Sequence, residues 1–275
     1  IEHYNIHAGI LVIDDTDIER SKRTTKIAKV HKIRDKKHSG YFKGQNLVFL
    51  ILVSNGVTIP VGFEFYEPDP ELKKWKKEND RLKSLKIPKK ERPKEPPKNP
   101  DYPGKKAIGI KLLENFKSKH SNIKIKAVIA DSFYGNESFL REASRVTGQR
   151  QVISQIRKNQ LIMIDGKYIE VQKYFSTKES VTQEVQLRGK TKNITYSTGK
   201  YKVKSHNKKY TIVALKYEDE ENYRFIIAND MTWLVQDIIK TFAIRWLVEV
   251  FIQDWKSFEG WNTKAMQQGI KGVGR

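Results

Sequence analysis

Three strongly apolar runs limit most what this chain can fold into. They are Gly9 to Ile13, Leu47 to Val53 and Ile123 to Ala130. Each is far shorter than the about 20 residues that a membrane span needs. Short runs of this kind read as strands buried in a sheet. Asp14 closes the first run, Asn55-Gly56 the second and Asp131 the third. Asn-Gly is the strongest short hairpin signal, and Thr58 to Tyr66 returns as the next strand. Residues 9–66 therefore read as three consecutive strands, the last two antiparallel. Ala107 to Lys119 has helical spacing. Asn136 is a good N-cap for a helix running to about Val146, closed by Thr147-Gly148, and Gln151 to Ile156 is another strand. This alternation predicts an α/β fold: a mixed sheet with helices on both faces.

From 157 to 228 the pattern changes to short alternating runs: Leu161–Ile164, Tyr168–Val171, Val181–Leu187, Tyr201–Val203, Tyr210–Tyr217 and Tyr223–Ala228. Turn residues separate them, so the block is antiparallel and β-rich. Asp230 or Thr232 then caps a long helix over 232 to about 258. The expected organisation is a core beginning with 1–156, a β-rich insertion over 157–228, and a helical region over 229–275 that completes the core.

Charge narrows the partner. The 275 residues carry a formal net charge of +21, too large an excess for solubility alone, and it predicts a polyanion, nucleic acid first. Between Arg20 and Lys43 there are ten Lys or Arg and one acid. Residues 71–106 hold fourteen Lys or Arg against six acids, with six of the nine prolines between Pro88 and Pro103. That segment reads as a solvated helix followed by an extended, Pro-rich loop, and its charge points to DNA contact. The absence of Cys excludes thiol catalysis, disulfides and Cys-based zinc sites. The chain starts at Ile1 without a signal-peptide pattern and stops at Lys-Gly-Val-Gly-Arg275, so a fragment is expected.

The chemistry-bearing residues form a small set. Asp14 and Asp131 stand at strand ends, where ligands gather in α/β sheets. Glu249 lies in Phe242-Ala-Ile-Arg245-Trp-Leu-Val-Glu249-Val-Phe-Ile-Gln-Asp-Trp-Lys256. At about 100° per residue, Phe242, Arg245, Glu249, Ile252 and Lys256 share one stripe, while Ile244, Leu247, Val248, Phe251 and Trp255 cover the opposite side. Three carboxylates without His or Cys suit a hard divalent cation. Each residue also has an ordinary alternative: an Asp at a strand end caps turns and helices, and Glu249 between Arg245 and Lys256 fits a surface ion-pair array.

The spacing Phe242-x₂-Arg245-x₃-Glu249-x₆-Lys256 resembles the Tyr-x₂-Arg-x₃-Glu-x₆-Lys signature of DDE transposases from bacterial insertion sequences. Phe242 stands where that family has Tyr. Val12-Ile-Asp14-Asp-Thr16 is similar to the family's first Asp motif, and Ala130-Asp131-Ser-Phe-Tyr134 to its second. Gly44-Gln45-Asn46 leading into a strand and the β-rich insertion also look like the family. The resemblance implies a ribonuclease-H-like fold, with the β-rich insertion between the second Asp and the Glu. It implies a triad of Asp14, Asp131 and Glu249 holding two Mg²⁺ or Mn²⁺ ions, with Asp14 preferred over Asp15. Arg245, Lys256 and the Phe242 position would face DNA. Trp233, Tyr223 and Phe225 are candidates by location for stacking a flipped base; ordinary core packing is their alternative.

The activity implied is metal-dependent cleavage of DNA at transposon ends and strand transfer. The implied partners are terminal inverted repeats and target DNA, bound by a dimer assembled on DNA, with no membrane. A bacterial cytoplasmic protein, nucleoid-associated when bound, is implied too. A non-catalytic, domesticated DNA-binding derivative and a plain Mg²⁺-dependent nuclease of the same fold are the other readings.

Overall fold

The computed structural model describes residues 5–35, 38–187 and 189–258. These cluster into two compact units: 5–14, 49–63 and 109–254 form the first, and 15–48, 64–108 and 255–258 the second. The strands are β1 (Ala8–Glu19), β2 (His31–Arg34), β3 (Tyr41–Ser54), β4 (Val57–Tyr66), β5 (Lys124–Ala130), β6 (Gln151–Ile156), β7 (Leu161–Ile164), β8 (Lys167–Glu170), β9 (Val181–Leu187), β10 (Lys190–Val203), β11 (Lys208–Tyr217) and β12 (Arg224–Ala228). The helices are α1 (Pro70–Ser84), α2 (Lys105–Lys119), α3 (Glu137–Val146), α4 (Val171–Thr177), α5 (Val235–Ala243) and α6 (Arg245–Phe258).

In the first unit the strand order is β3-β1-β5-β6-β12-β11-β10-β7-β8, with β4 on β3 and β9 on β10. β5 runs parallel to β1 and to β6, whereas β6–β12, β12–β11 and β11–β10 are antiparallel. The sheet is therefore mixed, and helices flank it, in keeping with a ribonuclease-H-like fold. Its centre is apolar: Leu11, Val12, Ile13, Val128, Ile129, Val152 and Ile153 are fully buried. Each such side chain contributes roughly 1.5–3 kcal/mol of burial. The helices cover it with single apolar stripes, Leu113 and Phe116 from α2, Phe139 and Leu140 from α3, Ile238 and Ile239 from α5. Helix α5 packs on β5 and β6. Asn55 and Gly56 both have positive φ, 49° and 79°, as the tight β3–β4 hairpin turn requires.

Several elements differ from the expectation. β1 does not stop at Asp14 but continues to Glu19. Buried Thr16 and Ile18 alternate with the half-buried Asp15 and Asp17, so a period-two pattern outlasts the apolar run. β10 is 14 residues long, although only 201–203 read as strand; partners on both edges, β9 and β11, hold its polar sequence extended. α4 was not expected. The final helix is split at Ile244, where Ile244 N bonds Thr241 O at 3.1 Å and Leu247 N bonds Ile244 O at 2.9 Å. These three-residue spacings tighten the turn, so Phe242 ends α5 and Arg245 opens α6.

In the second unit, β2 pairs antiparallel with the first half of β3. Asp69 caps α1, its Oδ1 accepting from Glu71 N at 2.9 Å and Leu72 N at 3.4 Å, with Pro70 in the first turn. α1 buries no residue, as its charge pattern predicts. The Pro-rich segment folds back on it, Trp75 Nε1 donating to Pro93 O at 2.8 Å. Among the described residues no helix is long and apolar enough to cross a membrane.

Candidate active site

The parallel register of β1 and β5 places the two aspartates. Its last pair is Ile13 with Ala130. Asp14 and Asp131 are the next residues on the two strands, and neighbouring strands lie about 4.8 Å apart. The apolar runs before them anchor both backbones in the core, so Asp14, within β1, and Asp131, just after β5, occupy neighbouring positions where the parallel ladder stops.

Asp131 begins a tight segment. Its Oδ1 accepts from Phe133 N at 2.9 Å, so the turn-capping role of such an aspartate is present. Its backbone carbonyl accepts from Ser154 Oγ at 2.6 Å. Tyr134 is fully buried. Gly135 lies so close to β6 that a Cβ there would stand 2.1 Å from Gln155 O. In the β-rich block His206 is buried, and burial pushes it below its ordinary pKa, against the Gly135 backbone and the Glu137 charge, which pull it up. Burial, and then Glu137, push the Tyr210 phenol up to about 12, so it stays protonated.

Glu249 is brought in by Arg245. The Arg245 guanidinium stands 2.6 Å from Glu249 Oε1, one helical turn on, and 3.9 Å from Asp14 Oδ2. The side chains of Arg245 and Asp14 are 18% and 14% exposed and that of Glu249 47%. Asp14 and Arg245 thus meet in a largely dehydrated place, with Glu249 at its rim. Phe242 is 3% exposed, its ring centroid 5.9 Å from the guanidinium carbon; it lies under Arg245 rather than on a surface open to DNA.

The donor set is all oxygen, which fits a hard divalent cation rather than zinc. Among the described residues no group of three or more His, Asp or Glu is close enough to hold a metal. Donor chemistry and strand register suit such an ion, and the cation between Asp14 and Glu249 in this arrangement is Arg245.

In the second unit Asp15 is committed elsewhere. Its Oδ2 pairs with Lys105 Nζ at 2.7 Å, with side chains 8% and 20% exposed, and the buried Asn46 bonds Asp17. Lys256 Nζ donates to Asp17 O at 2.8 Å. The aromatic candidates scatter. Phe225 is buried on β12 against Phe175, 6.1 Å between centroids, and Lys216 Nζ lies 5.5 Å from the half-buried Tyr223 ring. Trp233 lines a cleft with Lys124, Lys126 and Arg150 at the start of β5 and β6. That cleft is a strand length, about 20 Å, from Asp131.

Sequence reasoning singled out Asp14, Asp131 and Glu249 as candidates but did not foresee Arg245's reach to Asp14, the close approach of Gly135 to β6 or the burial of His206. The helical spacing of Arg245 and Glu249 was legible; the other contacts join segments far apart in sequence and left no local signal.

No curated protein matches the chain. Residues 1–179 match the model of a known family, that of the DDE superfamily endonucleases. The matched stretch contains Asp14 and Asp131 and ends before Glu249. Covering well over half of the 275 residues, and carrying both aspartates that emerge together from the sheet, it shows that this chain belongs to the DDE superfamily endonucleases.

Proposed function

We propose that the chain is the catalytic part of a DDE transposase from a bacterial insertion sequence, of the group with the Tyr-Arg-Glu-Lys helix signature. It cleaves DNA at transposon ends and joins them to target DNA by in-line phosphoryl displacement. The observation that supports this reading is the β1–β5 register, whose last pair, Ile13 with Ala130, immediately precedes Asp14 and Asp131. Residues 1–156 and 229–275 form the ribonuclease-H-like core in this reading, with 157–228 as its insertion; 1–4 and 259–275 lie outside the described residues.

Asp14, Asp131 and Glu249 would hold Mg²⁺ or Mn²⁺, two ions by resemblance, and the group would supply activation of a nucleophilic oxygen and charge neutralisation at the leaving oxygen. The protein's own part is positional. The buried parallel pairing of β1 and β5 fixes the backbones of the two aspartates, and Arg245 orients Glu249 in the resting state. When DNA arrives, the guanidinium is suited to a bidentate phosphate contact and Lys256 to a point-charge contact. The buried Phe242 acts by supporting Arg245. Trp233 and Tyr223 keep exposed ring surface for an unpaired base. A dimer on DNA, acting in the bacterial cytoplasm, completes the proposal.

The test is cleavage of DNA bearing the element's terminal repeats, with and without Mg²⁺, by the wild type and by Glu249→Gln. Metal-dependent cutting that the substitution reduces by at least 10³-fold, as expected of a group acting in the transition state, supports the triad. Undiminished cutting by Glu249→Gln sinks it. Cutting without joined products favours the plain nuclease, and a wild type that binds DNA but never cuts favours the domesticated derivative.

A further inference from the structure

The second unit holds a basic cavity outside the carboxylate site. It encloses about 590 Å³ and is lined by Lys22, Lys32, Lys43 and Lys73 together with His31 and Tyr41, among others. No Asp or Glu is among its described lining residues. Four lysines around one cavity with no carboxylate in its described lining repel one another, and the arrangement becomes favourable once an anion enters.

The register makes this sharper. Lys32 and Lys43 are directly paired across β2 and β3, and like charges facing each other on a strand pair are destabilising. Lys43 spends one donor on Thr24 O, at 3.3 Å, and keeps its charge. Lys32 Nζ lies 4.5 Å from the centre of the Tyr41 ring, and Tyr41 as a residue is 60% exposed. Lys73 projects from the first turn of α1, where the helix dipole adds positive potential.

We propose that this cavity binds unpaired nucleic acid, with backbone phosphates among the lysines and a base against the free part of the Tyr41 ring. The combination decides between strand and duplex. A duplex offers phosphates on its outside and hides its base faces in the stack, so it cannot present both to one pocket. A frayed or displaced strand can, and stacking on an aromatic ring is tolerant of sequence. The proposal rests on DNA being the substrate, but not on the carboxylate triad.

The test is binding of fluorescently labelled single-stranded and duplex oligonucleotides of unrelated sequence to the whole chain, titrated over a range of salt. The variants are Lys22→Gln/Lys32→Gln/Lys73→Gln combined, which leaves the Lys43–Thr24 bond in place, and Tyr41→Ala alone. Circular dichroism and melting temperature confirm that each is folded. Each lost phosphate contact lowers the salt slope for a single strand by about 0.7, so the triple variant should lose about 2 from the slope. Tyr41→Ala should weaken single-strand binding on the order of tenfold and leave duplex binding unchanged. An unchanged slope in the folded triple variant overturns the proposal, and so does an equal loss on duplex and single strand. Because no cleavage is read, failure of the transposase reading leaves this result untouched. A normal cleaving enzyme with unaltered slopes removes the cavity alone.

Discussion

Gly135→Ala tests how tightly the turn after Asp131 is held. Gly135 has φ −75° and ψ 21°, which any L-residue adopts, so backbone strain is not the issue. Space is: an added Cβ would meet Gln155 O at 2.1 Å, with Gln155 C and Ser154 Oγ at 3.2 Å. The nearest obstacle is backbone in the core strand β6 and cannot swing aside. Reaching an ordinary carbon–oxygen contact of about 3.3 Å means moving the turn or the strand by roughly 1 Å. Overpacking of this kind costs about 1–3 kcal/mol. At about 2–4 °C per kcal/mol, a loss of about 2 kcal/mol lowers the melting temperature by about 4–8 °C. The same shift displaces Asp131, and a 1 Å misplacement costs on the order of 100-fold in rate.

Gly109→Ala is the control. Its Cβ would stand 3.4 Å from Phe139 and 3.5 Å from Ile13, ordinary contacts. Removing a glycine from inside α2 gains up to about 1 kcal/mol, so this variant should melt slightly higher. Urea and thermal unfolding read the stabilities, and end cleavage reads the displacement. If Gly135→Ala unfolds with the wild type and cuts DNA at its rate, the close approach of the turn to β6 is refuted.

Two further predictions concern charge. Arg245→Gln removes the cation between Asp14 and Glu249. Because Glu249 is 47% exposed, the loss is discounted to about 1 kcal/mol, and Mn²⁺ should then raise the melting temperature of the variant more than that of the wild type. An equal metal response in the two proteins refutes Arg245 as the resting counter-ion. His206 is held below its ordinary value of 6.5 by burial, so the unfolded chain takes up the proton first as pH falls. The wild type therefore loses stability below about pH 6.5, and His206→Gln should show a shallower loss between pH 6.5 and 5 in urea titrations. Parallel curves for the two proteins count against a buried neutral imidazole.

How far the fold could be read in advance varies by element. The runs at 9–13, 47–53 and 123–130 announced themselves, because strands in the middle of a sheet are rich in apolar residues; only 127–130 of the third is buried throughout. The Asn55-Gly56 turn was equally legible, since its backbone conformation selects those residues. β10 was not: residues 190–200 are polar, and it is pairing with β9 and β11 that holds them extended. The break at Ile244 was invisible as well, because the apolar spacing of 235–258 continues through it.

By itself the sequence determined which carboxylates follow apolar strands, the helical spacing of Arg245 and Glu249, and a basic charge that favours DNA. Those are properties of neighbouring residues, and local periodicity carries them. Only the tertiary structure decided that Ile13 pairs with Ala130, and so that Asp14 and Asp131 stand together. It alone brought Arg245 to Asp14, pressed Gly135 onto Gln155 and gathered four lysines around one cavity. Those contacts join residues far apart in the chain, and no local pattern encodes which distant partner a side chain will meet.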